Sequence, residues 1–127
     1  MPRDTEEVTL PRRQDTLRLV AEYYQYELSI TCDEPLLEGE MVRGYLFDLY
    51  RWFEEWCTRQ GRDPVSYRAF MQRMWVLWGS REFGMVVQAH VTRNQQPFVL
   101  MPDFQARKAC FNRVVAANPQ LADLVLP

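Results

Sequence analysis

An aromatic-rich apolar stretch, the polar turn Gly61-Arg62-Asp63-Pro64-Val65-Ser66 and a second apolar-periodic stretch follow one another between Met41 and Trp78. From Glu40 to Gln60, the residues Met41, Tyr45, Leu49, Trp52, Phe53 and Trp56 form a stripe at helical spacing, which predicts an amphipathic helix. Gly61 stands where a left-handed residue ends such a helix, a conformation glycine enters without steric penalty. Pro64 and Ser66 then start another helix at Tyr67, with the Ser66 hydroxyl free to accept from first-turn amides. At about 100° per residue, Tyr67, Phe70, Met71, Met74, Leu77 and Trp78 gather on one side, while Arg68, Gln72 and Trp75 point away and Arg73 flanks them. Helix, tight polar turn, helix is the skeleton of a DNA-reading unit.

The remaining elements fit around this pair. Residues 1–14 hold Pro2 and Pro11 and show no apolar period, so they are expected to form a flexible arm, leaving 15–127 as a single domain. Asp15 or Thr16 is placed to cap a first helix carrying Leu17, Val20, Tyr24 and Leu28 and running to about Ile30. Thr31 to Gly39 is a connector. After Gly79-Ser80, strands are expected over Phe83–Val91 and Pro97–Met101, joined by a polar tip. Asp103 caps a last helix to about Ala117, with Phe111, Val114 and Val115 inward, and the apolar end from Leu121 docks on the body. The expected fold is mainly α (α+β): a winged helix-turn-helix with a two-stranded wing and an additional C-terminal helix.

Composition narrows the function. The chain has 127 residues, 47% of them hydrophobic, enough for one domain with a real core. No apolar run approaches the ~18 residues of a membrane span, and the charged start does not resemble a leader. A cytoplasmic protein is expected, in the host cytoplasm if the chain is viral. Cys32, Cys57 and Cys110 suit a reducing compartment, and a sole histidine, His90, with no Cys-x-x-Cys argues against a metal site. Phosphate loops, dinucleotide fingerprints and hydrolase elbows are missing. Acid pairs such as Glu54-Glu55 read as solvated surface, and Cys57 and Cys110 as packing thiols. No catalytic residue, cofactor or metal is expected.

Charge is divided unevenly. Residues 1–61 carry 7 Arg against 13 acids, whereas residues 62–113 carry 8 Arg or Lys against 3 acids, so a chain of net charge -2 can still present a basic face. The candidate DNA contacts are Arg68, Gln72 and Arg73 for bases, and Arg62 and Arg81 for phosphates. Arg93 and Asn94 extend the set at the hairpin tip. Double-stranded DNA is the expected partner. The competing expectation is a protein interface built on Trp75, Phe47 and Tyr50, serving a homodimer or another protein.

The run Leu46-Phe47-Asp48-Leu49-Tyr50-Arg51-Trp52-Phe53-Glu54-Glu55-Trp56-Cys57, followed by Gln60-Gly61-Arg62-Asp63-Pro64-Val65-Ser66 and then Phe70, resembles the C-terminal winged-helix domain of phage and plasmid helicase-primases. The likeness spans about residues 17–101. It implies a module of a virus, plasmid or mobile element that engages DNA in replication or regulation. The chain departs from that family in having no phosphate-binding ATPase loop, and in carrying Pro97-Phe98-Val99-Leu100-Met101 where the family has a basic, glycine-bearing second wing strand.

Overall fold

A computed structural model describes residues 2–31, 42–79, 86–88 and 96–127, with side chains except at 2–15 and 86–88. The described elements run in the order α1 (Pro2–Ile30), β1 (Val42–Tyr45), α2 (Leu46–Gln60), α3 (Tyr67–Leu77), β2 (Val86–Gln88), β3 (Phe98–Met101) and α4 (Phe104–Ala116), closed by a 3₁₀ turn over Ala122–Leu124. The protein is mainly helical with a small antiparallel sheet.

Two elements differ from the sequence expectation. α1 begins at Pro2, so residues 2–14, expected as an arm, continue the helix and Asp15 and Thr16 lie inside it instead of capping it. A helix already held by its packed half propagates readily, one hydrogen bond for each residue fixed. The second difference is at the expected start of α2. Val42 to Tyr45 form a strand, paired antiparallel with β3 in the register Val42↔Met101 to Tyr45↔Phe98. β2 pairs with the other edge of β3, Val87 opposite Val99, and the sheet order is β1-β3-β2. The expected two-stranded hairpin therefore becomes a three-stranded sheet.

Gly44 explains part of this outcome, because a Cβ built there would lie 2.7 Å from Met101 Cε. The strand passes so close to its neighbour that a side chain would displace the Met101 methyl. Arg43 lies across the Phe98 ring, 4.4 Å from its centroid, within cation–π range.

With the strand removed, α2 begins at Leu46 and its buried stripe is Leu46, Leu49, Phe53, Trp56 and Cys57. Tyr45 and Trp52, expected inside, are exposed, while Met41 lies outside the described residues. α2 ends at Gly61, whose φ of 67° is left-handed, and whose amide, with that of Arg62, returns to the carbonyls of Thr58 and Cys57. Ser66 caps α3 by accepting from Ala69 N at 3.2 Å, and Asp103 caps α4 by accepting from Ala106 N at 2.9 Å, both as expected.

The core is aromatic. Phe53 of α2 stacks on Phe70 of α3 at 4.7 Å, and Tyr23 of α1 meets Phe53 edge-on at 5.5 Å and Trp56 at 5.8 Å. Such pairs add to the burial of apolar area. On the other side of α1, Tyr24 meets Phe111 of α4 edge-on at 5.6 Å.

The chain end closes over α1. Leu121 and Leu124 are buried, and Gln25 donates to the Leu124 carbonyl at 3.0 Å. Arg18 grips Asp123 with two bonds of 2.9 and 2.7 Å and the Gln120 carbonyl with a third. That guanidinium holds the Asp123 carboxyl below its ordinary pKa.

Candidate nucleic-acid interface

The turn between α2 and α3 is fixed from three sides. Gly61 supplies the left-handed step. The Tyr50 hydroxyl donates to the Val65 carbonyl at 2.7 Å while its ring packs edge-on against Tyr67 and Phe70. Arg62 binds Glu22 of α1 at 3.1 Å and lies 5.7 Å over the Trp56 ring. Two residues of the expected sites have internal partners here. Arg62, expected at a phosphate, is a half-buried brace that spends its charge on Glu22. Tyr50, expected in a protein interface, is a structural strut whose hydroxyl is already bonded.

α3 presents the rest of the candidate surface. Its buried side, Phe70, Met74 and Leu77, packs against the body, leaving Arg68 and Gln72 exposed one turn apart on the outer side. Arg73 turns partly back. Its Nη2 donates to Thr16 Oγ1 of α1 at 3.3 Å, while its Nη1 donates to Gln72 Oε1 at 3.2 Å. Arg73 thus spans the first helix and the Gln72 amide, so its own reach outward is short.

Arg68 and Gln72 stand between two shallow depressions. One, of about 540 Å³, is lined by Ser66, Arg68, Ala69, Gln72 and Arg73 around the start of α3. The other, of about 510 Å³, is almost wholly apolar, with Leu46, Tyr67, Met71 and Trp75 forming it beside the same Arg68 and Gln72. Trp75, expected to point away from the core side and to belong to a protein interface, is half-buried and packs against the core. Phe47 is exposed, its ring 5.5 Å from Tyr67. Arg81, Arg93, Asn94 and His90 lie outside the described residues.

No family model, curated protein or solved structure matches the chain.

Among the described residues no group of His, Cys, Asp and Glu could hold a metal ion. Cys57 is buried, and burial pushes its thiol up to about 11, which keeps it protonated and poorly nucleophilic at neutral pH. Cys110 is buried too, directed at the Leu77 carbonyl at 3.8 Å.

The sequence reading missed a second concavity. Tyr23, Tyr26, Glu27 and Ile30 of α1 and Trp52, Glu55 and Arg59 of α2 line a cleft of about 270 Å³. Glu27 contributes a buried oxygen, Oε2, with no hydrogen-bond partner. Burial raises its carboxyl from the ordinary 4.5 to about 7, against the pull of Arg107 and the Tyr23 hydroxyl. The available signals were a glutamate inside an otherwise apolar stripe and a tryptophan that leaves its stripe once α2 is shortened.

Proposed function

We propose that the protein is a non-catalytic winged-helix module that binds duplex DNA through the outer side of α3. The order helix, strand, helix, helix, hairpin, with the first strand added to the hairpin edge, supports the winged-helix reading. Exposed Arg68 and Gln72 on the helix that follows a rigidly capped turn are the observation that carries the DNA reading. Arginine can grip guanine O6 and N7, and glutamine adenine N6 and N7. Arg73 steadies the Gln72 amide and Arg62 fixes the turn, so both position the reading pair. By resemblance to the helicase-primase module, the setting is replication or regulation in a virus, plasmid or mobile element.

Titration of labelled duplex at several salt concentrations tests the reading. Affinity should fall linearly in log–log form with salt, and Arg68→Ala should cost about 1–3 kcal/mol of binding and relax the sequence preference. Absence of binding at low salt refutes it.

The apolar depression beside Phe47 favours one alternative, a protein interface formed by Leu46, Tyr67, Met71 and Trp75, with aromatic residues of the kind that dominate such contacts. A mass measurement in solution separates the two: a tight homodimer or a co-purifying protein supports the interface, and retained nucleic acid supports DNA binding.

A further inference from the structure

The cleft between α1 and α2 is lined by residues of those two helices alone, so what it binds is independent of the DNA reading. At about 270 Å³ it sits just below the size range of ligand cavities, ~300–1,000 Å³, and suits a headgroup better than a nucleotide. Three of its lining groups are aromatic: Tyr23, 2% exposed, belongs to the inner wall, while Tyr26 and Trp52, at 36% and 46%, are open to solvent. Aromatic faces are electron-rich and attract cations. Glu27 brings the orphaned Oε2, a buried acceptor without a donor, and Glu55 adds a second carboxylate. Arg59 already lays its guanidinium over the Tyr26 ring, but at 6.0 Å, the outer limit for such contact.

We propose that this cleft binds a partly methylated ammonium group, the methyls against Tyr26 and Trp52 and a remaining N–H donated to the Glu27 carboxylate. Each component of the site asks for a different part of that ligand. Ring faces accept charge and methyl surface but offer no lone pair, whereas the unpartnered oxygen requires a donor. An anion would meet two carboxylates against the single Arg59 guanidinium, and a hard metal ion would find too few oxygens. The titratable and charged groups facing Glu27 are Tyr23, Tyr24 and Tyr26 of its own helix, Glu55 and Arg59 across the cleft and Arg107 of α4. A bound ammonium favours ionised Glu27, so binding strengthens as pH rises from 6 to 8 and releases a proton.

The test is an NMR titration of the full chain with dimethylammonium chloride, against sodium chloride at equal ionic strength, tetramethylammonium chloride and sodium acetate. Saturable shifts at Tyr26, Glu27 and Trp52 are expected with dimethylammonium, tighter at pH 8 than at pH 6. Tetramethylammonium, with no N–H, should bind more weakly. Trp52→Ala, at an exposed side chain, should weaken binding about tenfold, and Glu27→Gln should abolish the pH dependence. A peptide bearing dimethyl-lysine forms the last arm: tighter binding than the free ion identifies a protein side chain as the source, and equal binding identifies a small amine. Shifts no different from those of sodium, insensitivity to Trp52→Ala, or saturable binding of acetate overturns the proposal.

Discussion

Glu27→Gln gives a direct measure of what the buried carboxyl does to stability. In the folded protein its pKa is raised from 4.5 to about 7, chiefly by burial, so the native state holds this proton more tightly than the unfolded chain. The sign follows from that difference. Below 4.5 the group is protonated in both states and costs nothing, between 4.5 and about 7 only the unfolded chain ionises, and stability falls across this window before levelling above it. A displacement from 4.5 to about 7 is worth at most ~3 kcal/mol at ~1.36 kcal/mol per pK unit. That figure already includes the pull of Arg107 and of the Tyr23 hydroxyl, both of which lower the pKa. Urea unfolding of both proteins, followed by circular dichroism from pH 4 to 8, isolates the term, because other titrating groups are common to both and cancel in the difference. The glutamine variant should become relatively more stable with rising pH and exceed the parent at pH 8. A variant with an unchanged pH slope, or one less stable than the parent at pH 8, refutes the reasoning.

Phe53→Ala removes a fully buried ring stacked at 4.7 Å on Phe70, and chemical denaturation should show a loss of ~3–5 kcal/mol. Gly61→Ala meets no steric obstacle, with no atom within 4 Å of a built Cβ, but must adopt a φ of 67°, so thermal unfolding should register ~1–2 kcal/mol of destabilisation. Arg62→Ala should lower stability by about 1 kcal/mol or less and leave duplex affinity nearly unchanged, whereas Arg68→Ala should weaken duplex binding and leave stability nearly unchanged. Paired unfolding and binding measurements on these two variants separate the brace from the proposed reader.

Local chemistry made several elements legible. Ser66 and Asp103 cap their helices because a short acceptor side chain ahead of an apolar-periodic run serves first-turn amides wherever it occurs, and Gly61 ends α2 for an equally local reason. Phe70, Met74, Leu77 and Phe111 were readable as core from helical spacing alone. β1 was hidden, because Met41 and Tyr45 match the helical period, and the partner that makes Val42–Tyr45 a strand lies beyond α3 in sequence. Misplacing that boundary put Tyr45 and Trp52 inside when both are exposed. Among the proposed contacts, Arg68 and Gln72 face outward as their helical positions implied. Arg62 and Arg73 also hold partners that their places in the chain do not announce, Glu22 and Thr16, because both sit on α1. Glu27 shows locally only as a glutamate in an apolar stripe, because its surroundings are assembled from α2 and α4.

The grip of Arg18 on Asp123 joins positions 105 apart in the chain, and the Leu121 and Leu124 side chains fill in behind it. During synthesis this side of α1 thus stays uncovered until a segment 105 positions later has been made, because a domain packs as a unit only when its distant segments are present.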